Sequence, residues 1–443
     1  TANDTDIAAN TSSISTNTSN ISTNSSAITI INNTTLANFT SGARVFQDSN
    51  YNTVSGEGAL NNCIIDDSCG WNTATGAYAL YSNTTGGGNT ATGYAALYNN
   101  QGGLQNTATG FEALYSNTSG QLNTATGLRA LYSNTTGNYN TAIGANALYY
   151  NTTGDSNTAI GTNALLSNRT GNGNTAMGYQ SLESNTGNEN TATGYRSLSS
   201  NTSGSFNTAT GYKSLFLNKG FANTATGNSS LYSNTTGSYN TASGYEALYS
   251  NTTGNFNIAI GNEALYDNVT GSKNVAIGYQ AETSAAQSFA AGDSPVIASS
   301  GTSAVALGTS YANGTDSFAA AIANNTSSYG ATGANSIAMG QKSKATGGQA
   351  AAIGNFAQAT NTSACAIGGY LPRAEGTSSL ALGTYAQAEA AGSVAIGYRT
   401  KSKTTGKLAF NAAEPTGGVG TNNGDNQRGM YVLRRATTDA TQT

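Results

Sequence analysis

Asn123-Thr124-Ala125-Thr126-Gly127-Leu128-Arg129-Ala130-Leu131-Tyr132-Ser133-Asn134-Thr135-Thr136-Gly137-Asn138-Tyr139 is one unit of a repeat that fills the middle of the chain. Its first glycine, Gly127, belongs to a column running from Gly76, Gly93 and Gly110 through Gly144, Gly161, Gly178, Gly194, Gly211, Gly227, Gly244 and Gly261 to Gly278. The steps are 17 residues, with two of 16. A short fixed period describes a stack of like units, each burying its apolar face only against its neighbours. The expected object is a rod rather than a globular enzyme.

Within a unit the positions differ in what they accept. Asn stands four before the glycine, as in Asn72, Asn89, Asn106, Asn123 and Asn140, and Ala stands two before it. Leu follows four after, and a second Asn (Asn83, Asn134, Asn251) seven after. This predicts a short strand over Asn-Thr-Ala-x-Gly, a second near Ala-Leu-Tyr, and turns at Asn-Thr-Thr-Gly, where Asn and Gly tolerate positive φ. Both 16-residue units lose their residue from the turn, at Asn185-Thr186-Gly187 and Asn218-Lys219-Gly220. Stacked coils place each Asn about 4.8 Å from its equivalent, so the amides should form ladders. Asn83-Thr84-Thr85 and its siblings match the glycosylation sequon, but glycans would not fit on every rung.

Composition agrees with a stack. Only 9% of residues are charged, against about 25% in globular domains. A net charge of −4 supplies no field for nucleic acid. No apolar run approaches the roughly 20 residues of a membrane span, so membrane insertion is not expected. There is no His, hence no Ser-His pair and no His metal site. No cofactor, metal or catalytic residue is predicted, and the chain is read as a non-enzyme. The start at Thr1-Ala2-Asn3, without Met or a signal-like stretch, suits a fragment or a processed product.

The first residues obey a different period. Ile7, Ile14, Ile21 and Ile28 are seven apart, each four after an Asn: Asn3, Asn10, Asn17 and Asn24. With Ile at a and Asn at d this is a coiled-coil pattern. Ser, Thr and Asn are poor helix formers, so only association would hold it. The Asn10, Asn17 and Asn24 layers resemble those of trimeric autotransporter stalks and phage fibres. That resemblance implies three asparagines around a central axis, able to hold an anion.

Further along, the wording changes but not the logic. Ser303-Ala304-Val305-Ala306-Leu307-Gly308, Asn335-Ser336-Ile337-Ala338-Met339-Gly340 and Ser393-Val394-Ala395-Ile396-Gly397 recur, from Gly340 with a period of 14 or 15. These closely resemble the Ser-Val-Ala-Ile-Gly repeats of the YadA-like adhesin head, a left-handed parallel β-roll that trimerises. Ser317-Phe318-Ala319-Ala320-Ala321, which lacks the glycine, departs from the pattern. The 17-residue region looks like a lengthened variant of the same roll. Near the end, Met430-Tyr431-Val432-Leu433-Arg434-Arg435 resembles segments of virion structural proteins of marine tailed phages.

The remaining features each have a plainer role beside a functional one. Thr73-Ala74-Thr75 and its siblings form a Thr-x-Thr ladder, as on ice-binding solenoids. The second Thr becomes Ile143, Ile160, Met177, Ile260 or Ile277 elsewhere, so that position is expected to face inward or toward a partner chain. The rows Tyr81, Tyr98, Tyr115, Tyr132, Tyr149 and Tyr94, Tyr179, Tyr195, Tyr212 suit shielding of a thin core or packing between chains, with sugar stacking as the rival. Cys63 and Cys69 bracket an insertion containing Asp66 and Asp67 and are compatible with a local disulfide or two free thiols. Cys365 replaces the Val of its strand and reads as packed.

The expected architecture is therefore all-β: a left-handed parallel β-roll or solenoid in a homotrimer, preceded by a short parallel trimeric α coiled coil. The expected segments are 1–33 coiled coil, 34–50 transition, 51–281 17-residue roll, 282–414 YadA-like roll, and 415–443 a Gly/Asn-rich link with the first strand of a following segment. The expected function is a phage tail or virion fibre shaft presenting a receptor-binding tip. Its partners would be two copies of itself, other fibre or baseplate proteins, and a host surface receptor such as a glycan. A bacterial cell-surface trimeric adhesin is the alternative, and an ice- or carbohydrate-binding solenoid the third reading.

Overall fold

The computed structural model describes residues 11–20, 46–47, 50–63, 69–321 and 328–411. The chain divides into two compact units, Thr1–Met177 and Gly178–Thr443. Both are all-β parallel solenoids, and among the described residues only 11–20 are helical.

In the first unit, strand β1 (Phe46–Gln47) runs antiparallel to β2 (Thr53–Ser55). From β2 onward, one three-residue strand per coil pairs in parallel with the next. Thr73–Thr75, Thr90–Thr92, Thr107–Thr109 and Thr124–Thr126 lie in unshifted register, Ala opposite Ala. The central Ala is buried because its neighbours alternate outward on the pleat. Ala fills this position in every coil after the first, where Val54 stands opposite Ala74 and is buried too.

In the 17-residue coils the glycine that follows each strand is required by the packing. Gly127 has φ 135°, and a Cβ on it would lie 2.6 Å from the carbonyl oxygen of Gly144 in the next coil. Backbones therefore touch along this column.

The expected strand near Ala-Leu-Tyr is not formed. Arg129 and Leu131 adopt φ 54° and 52°, and their equivalents in other coils do likewise. Left-handed residues at alternate positions turn the backbone instead of extending it. The stretch still bonds from coil to coil: Leu131 N donates to Ala147 O (3.0 Å) and Ser133 N to Tyr149 O (3.0 Å). Leu131, fully buried, fills the coil interior beside Ala125 and Ala130.

In the second unit, 17-residue coils continue through strands Thr191–Thr193 to Val275–Ile277. The 16-residue coil between Thr208–Thr210 and Thr224–Thr226 keeps its strands whole, with Thr208↔Thr224 in register. From Glu282–Thr283 a second sheet appears, nine-stranded among the described residues and parallel throughout. It runs to Lys401–Ser402, alongside the continuing first sheet that reaches Leu408–Asn411.

Candidate functional surface

The coil interior is closed by two asparagine ladders. Asn72, Asn89, Asn106, Asn123 and Asn140 are at most 1% exposed. Asn106 Nδ2 donates to Asn89 Oδ1 (3.1 Å) and to Gly120 O (2.8 Å), while its backbone N donates to Asn89 Oδ1 (2.9 Å). The second ladder is made by the asparagines seven after the glycine. Asn117 Nδ2 donates to Asn100 Oδ1 (2.8 Å) and to the same Gly120 O (3.0 Å). One glycine carbonyl thus ties both ladders at each corner. Satisfied amides of this kind let a thin, apolar-poor core bury polar groups without penalty.

Because the sequon asparagines Asn83 and Asn134 are fully buried with their amides engaged, a glycan on either would remove a rung. In the second unit the first ladder ends at Asn274, whose Nδ2 is buried without a hydrogen-bond partner. The three residues that bring the corner glycine back have disappeared from the coil that follows it.

Outside, aromatic rings stack along the coil axis. Tyr81, Tyr98, Tyr115, Tyr132 and Tyr149 lie 5.0–5.2 Å apart with interplanar angles of 7–10°. Desolvation by their neighbours raises the phenol pKa of Tyr115 and Tyr132. A second row, Tyr179, Tyr195 and Tyr212, stacks at 5.3–5.4 Å. Rings that cover each other's faces leave mainly edges to solvent.

A third row was missed by the sequence reading. Five before the glycine stand Tyr51, Trp71, Tyr139, Phe206, Tyr239 and Phe256, all in left-handed backbone and all exposed. Tyr239 and Phe256 stack at 5.0 Å. The signal existed, but Gly88, Gln105 and Lys273 interrupt the column.

On the strand face, the second position of Thr-x-Thr points outward, which corrects the inward option. Ile143 is 41% exposed, and Ile160, Met177, Ile260 and Ile277 are similar. Pleating decides it: a residue flanking the buried Ala must face the other way. Beside this row lie exposed Tyr94, Phe111 and Leu128 just past the glycine. A single chain therefore presents a strip of apolar side chains along the strand edge.

The other singled-out residues fall as follows. Asn17 sits in the helical stretch 11–20, whose Ile14 is 66% exposed. Thr16 and Thr18 hydroxyls donate to the carbonyls of Ser12 and Ile14 four residues back. Asn10, Asn24, Asp66 and Asp67 lie outside the described residues, as do 34–45 and 412–443. Cys63 and Cys69 form a disulfide with Cα atoms 6.0 Å apart. Cys365 is a free thiol whose pKa is raised by burial. Among the described residues no cluster of His, Cys, Asp or Glu could hold a metal, and no helix is long and apolar enough to cross a membrane.

One carboxylate stands apart. Glu282 occupies the Leu position of its coil, and its Oε1 accepts from the backbone N of Tyr266 (2.8 Å). Burial pushes its pKa up to about 7, with Asp267 and Glu263 adding to the rise and hydrogen bonds from the Tyr266 and Asp267 backbone opposing it.

The family model described as YadA head domain repeat matches residues 275–294, 331–357 and 374–400. This part of the chain carries YadA-type head repeats. The matched segments coincide with the region where two parallel sheets run together. No curated protein matches the chain.

Proposed function

We propose that this chain is a non-catalytic, homotrimeric fibre protein, a phage tail or virion fibre shaft that holds a receptor-binding tip away from the particle. The observation that carries the reading is the exposed apolar strip of Tyr94, Phe111, Leu128 and Ile143 on coils whose interior is mostly Ala, Leu and Asn. Such a thin core offsets little of the roughly 1–2 kcal/mol per residue of backbone entropy. Three chains packed strip to strip would bury more. The heptads before residue 33 support parallel trimerisation, with Asn10, Asn17 and Asn24 setting register at a cost in stability. Three copies of a tip would also give avidity.

The YadA head repeats favour a second reading, a cell-surface adhesin that uses the same trimer to contact host surfaces. Two measurements test the proposal. Sedimentation equilibrium of the full chain at micromolar concentration should give three chains per particle; a folded monomer refutes the assembly. Peptide mass spectrometry of purified virions and of outer-membrane fractions then decides location. Finding the chain only with membranes refutes the virion shaft.

A further inference from the structure

Counting forward from Gly56, the position of the second-ladder asparagine, seven after, is taken by Cys63; counting back from Gly76, the position of the corner glycine, seven before, is taken by Cys69. In the following coils these two positions are joined by a hydrogen bond: Asn83 Nδ2 to Gly86 O (2.8 Å) and Asn100 Nδ2 to Gly103 O (3.1 Å). In this coil they are joined by a disulfide.

At the ordinary corner a side chain is excluded. A Cβ on Gly86 would sit 2.4 Å from Asn83 Oδ1 and 2.5 Å from Gly103 O. Cys69 nevertheless carries one and is fully buried. The chain has room for it because six residues separate the cysteines, against three between Asn83 and Gly86.

The sulfur also takes a ladder bond. Every later second-ladder Asn in the first unit donates to the Oδ1 of the coil before, as Asn100 does to Asn83 (2.7 Å). Asn83 has no such oxygen behind it, and its Nδ2 donates to Cys69 Sγ at 3.1 Å. On the first ladder, Asn52 Nδ2 donates to Cys69 O (2.8 Å), standing in for the corner carbonyl. Meanwhile β1 pairs antiparallel across β2, so the parallel stack stops at that strand.

We propose that the corner closed by Cys63 and Cys69 is an oxidatively closed end cap of the first coil. Its disulfide does covalently what the Asn-to-Gly hydrogen bond does in its neighbours, which makes the stability of this edge depend on redox state. Capping of this kind is what a solenoid needs at a terminal coil, and what keeps an edge strand from recruiting another chain.

Reduction is a two-step exchange. A dithiothreitol thiolate attacks Cys63 Sγ, the half-exposed sulfur, and Cys69 leaves as a thiolate beside Asn83 Nδ2. The reagent's second thiol then displaces Cys63. Two electrons and two protons pass to the cysteines, and the reagent becomes a cyclic disulfide.

The full chain tests this by hydrogen-exchange mass spectrometry with and without dithiothreitol. Amides in 51–63 and 69–89 should exchange at least tenfold faster after reduction, while those in 191–277 stay unchanged. A Cys63→Ser/Cys69→Ser variant should behave like reduced protein under both conditions. Denatured, unreduced chain should titrate as one thiol, Cys365. Three thiols, or an opened bond with unaltered exchange in 51–89, would overturn the proposal. So would acceleration spread equally over all coils.

Discussion

Removing one rung of the first ladder tests whether amide stacking holds the coils together. In Asn123→Ala the backbone N of Asn140 loses its acceptor, Asn123 Oδ1 at 2.9 Å. No other partner is at hand in the coil interior, so this donor is stranded at a cost of about 1–3 kcal/mol. Three side-chain bonds also disappear: to Asn106 Oδ1 (3.1 Å), to Gly137 O (2.8 Å), and from Asn140 Nδ2 (3.2 Å). Their loss is partly cushioned, because Asn134 Nδ2 still reaches Gly137 O and Asn140 Nδ2 still reaches Gly154 O. The sum is about 3–5 kcal/mol per chain. Asn123→Asp should be worse at neutral pH, since it keeps the acceptor for Asn140 N but aims an anion at two oxygens. Its folded pKa would be raised, so stability should recover as pH falls and the acid regains a donor proton. Urea unfolding followed by circular dichroism, with exposed Thr136→Ala as control, measures all three. If Asn123→Ala costs less than about 0.5 kcal/mol, the ladder is a consequence of the fold and not one of its supports.

Three other perturbations read different parts of the molecule. Gly127→Ala should abolish soluble folded protein or cost about 3 kcal/mol or more, whereas Gly406→Ala, with nothing within 4 Å of its added Cβ, should cost only about 1 kcal/mol; equal solubility and melting of the two would contradict the column of touching backbones. Tyr132→Ala loses two stacking partners, Tyr115 and Tyr149, and should cost about 1–3 kcal/mol with a loss of near-ultraviolet circular dichroism; an unchanged melting curve would mean the row is ornamental in the single coil. Glu282 has a folded pKa raised from 4.5 to about 7, so its folded state binds the proton more tightly and stability should fall as pH rises from about 4.5 to 7, by about 3 kcal/mol. Glu282→Gln should flatten that window in thermal melts, and a persisting slope would assign it to another group.

Much of this was legible because a period-locked chain states each constraint many times. The Gly column, the buried Ala two before it and the Asn ladders all stand where the spacing put them. Shortening of the turn in the 16-residue units set the Asn-Thr-Ala-x-Gly strand apart from the turn, but left Ala-Leu-Tyr read as a strand. What could not be read was the sign of φ. Ala-Leu-Tyr carries strand-forming residues, yet Leu131 and its equivalents are left-handed, a conformation no composition rule assigns to Leu. The same blindness hid the row containing Tyr139, which sits at another left-handed position. The outward direction of Ile143 follows from pleat alternation, which outweighs the tolerance of that position for Ile. The roles of Cys63 and Cys69 needed alignment to the coil, because the insertion displaces them from the period.

The difference between the two coil types follows from what comes after the third residue beyond the glycine. In the 14-residue coil after Gly340, buried Ser343 is followed by Lys344–Ala345, which stay extended and pair in the second sheet. The interior there is filled by Ala345 and Ala350, and Ala350 stands at the first-ladder position. In the 17-residue coil, Leu at the next position turns left-handed, and its bulk occupies the interior that the second strand would otherwise cross. That turn leaves the coil open at one corner, and closing it takes the Asn-Thr-Thr-Gly segment with both amides converging on one carbonyl. Three added residues thus exchange a sheet for a pair of ladders. Asn274 marks the border: it keeps the ladder's asparagine after the corner it served has gone, and its stranded Nδ2 is the cost of joining the two designs. Glu282 stands at the same border: its carboxylate gives the Tyr266 N–H a second acceptor at 2.8 Å besides Glu263 O (3.3 Å), where Tyr249 N in the coil before bonds only to Glu246 O (3.3 Å).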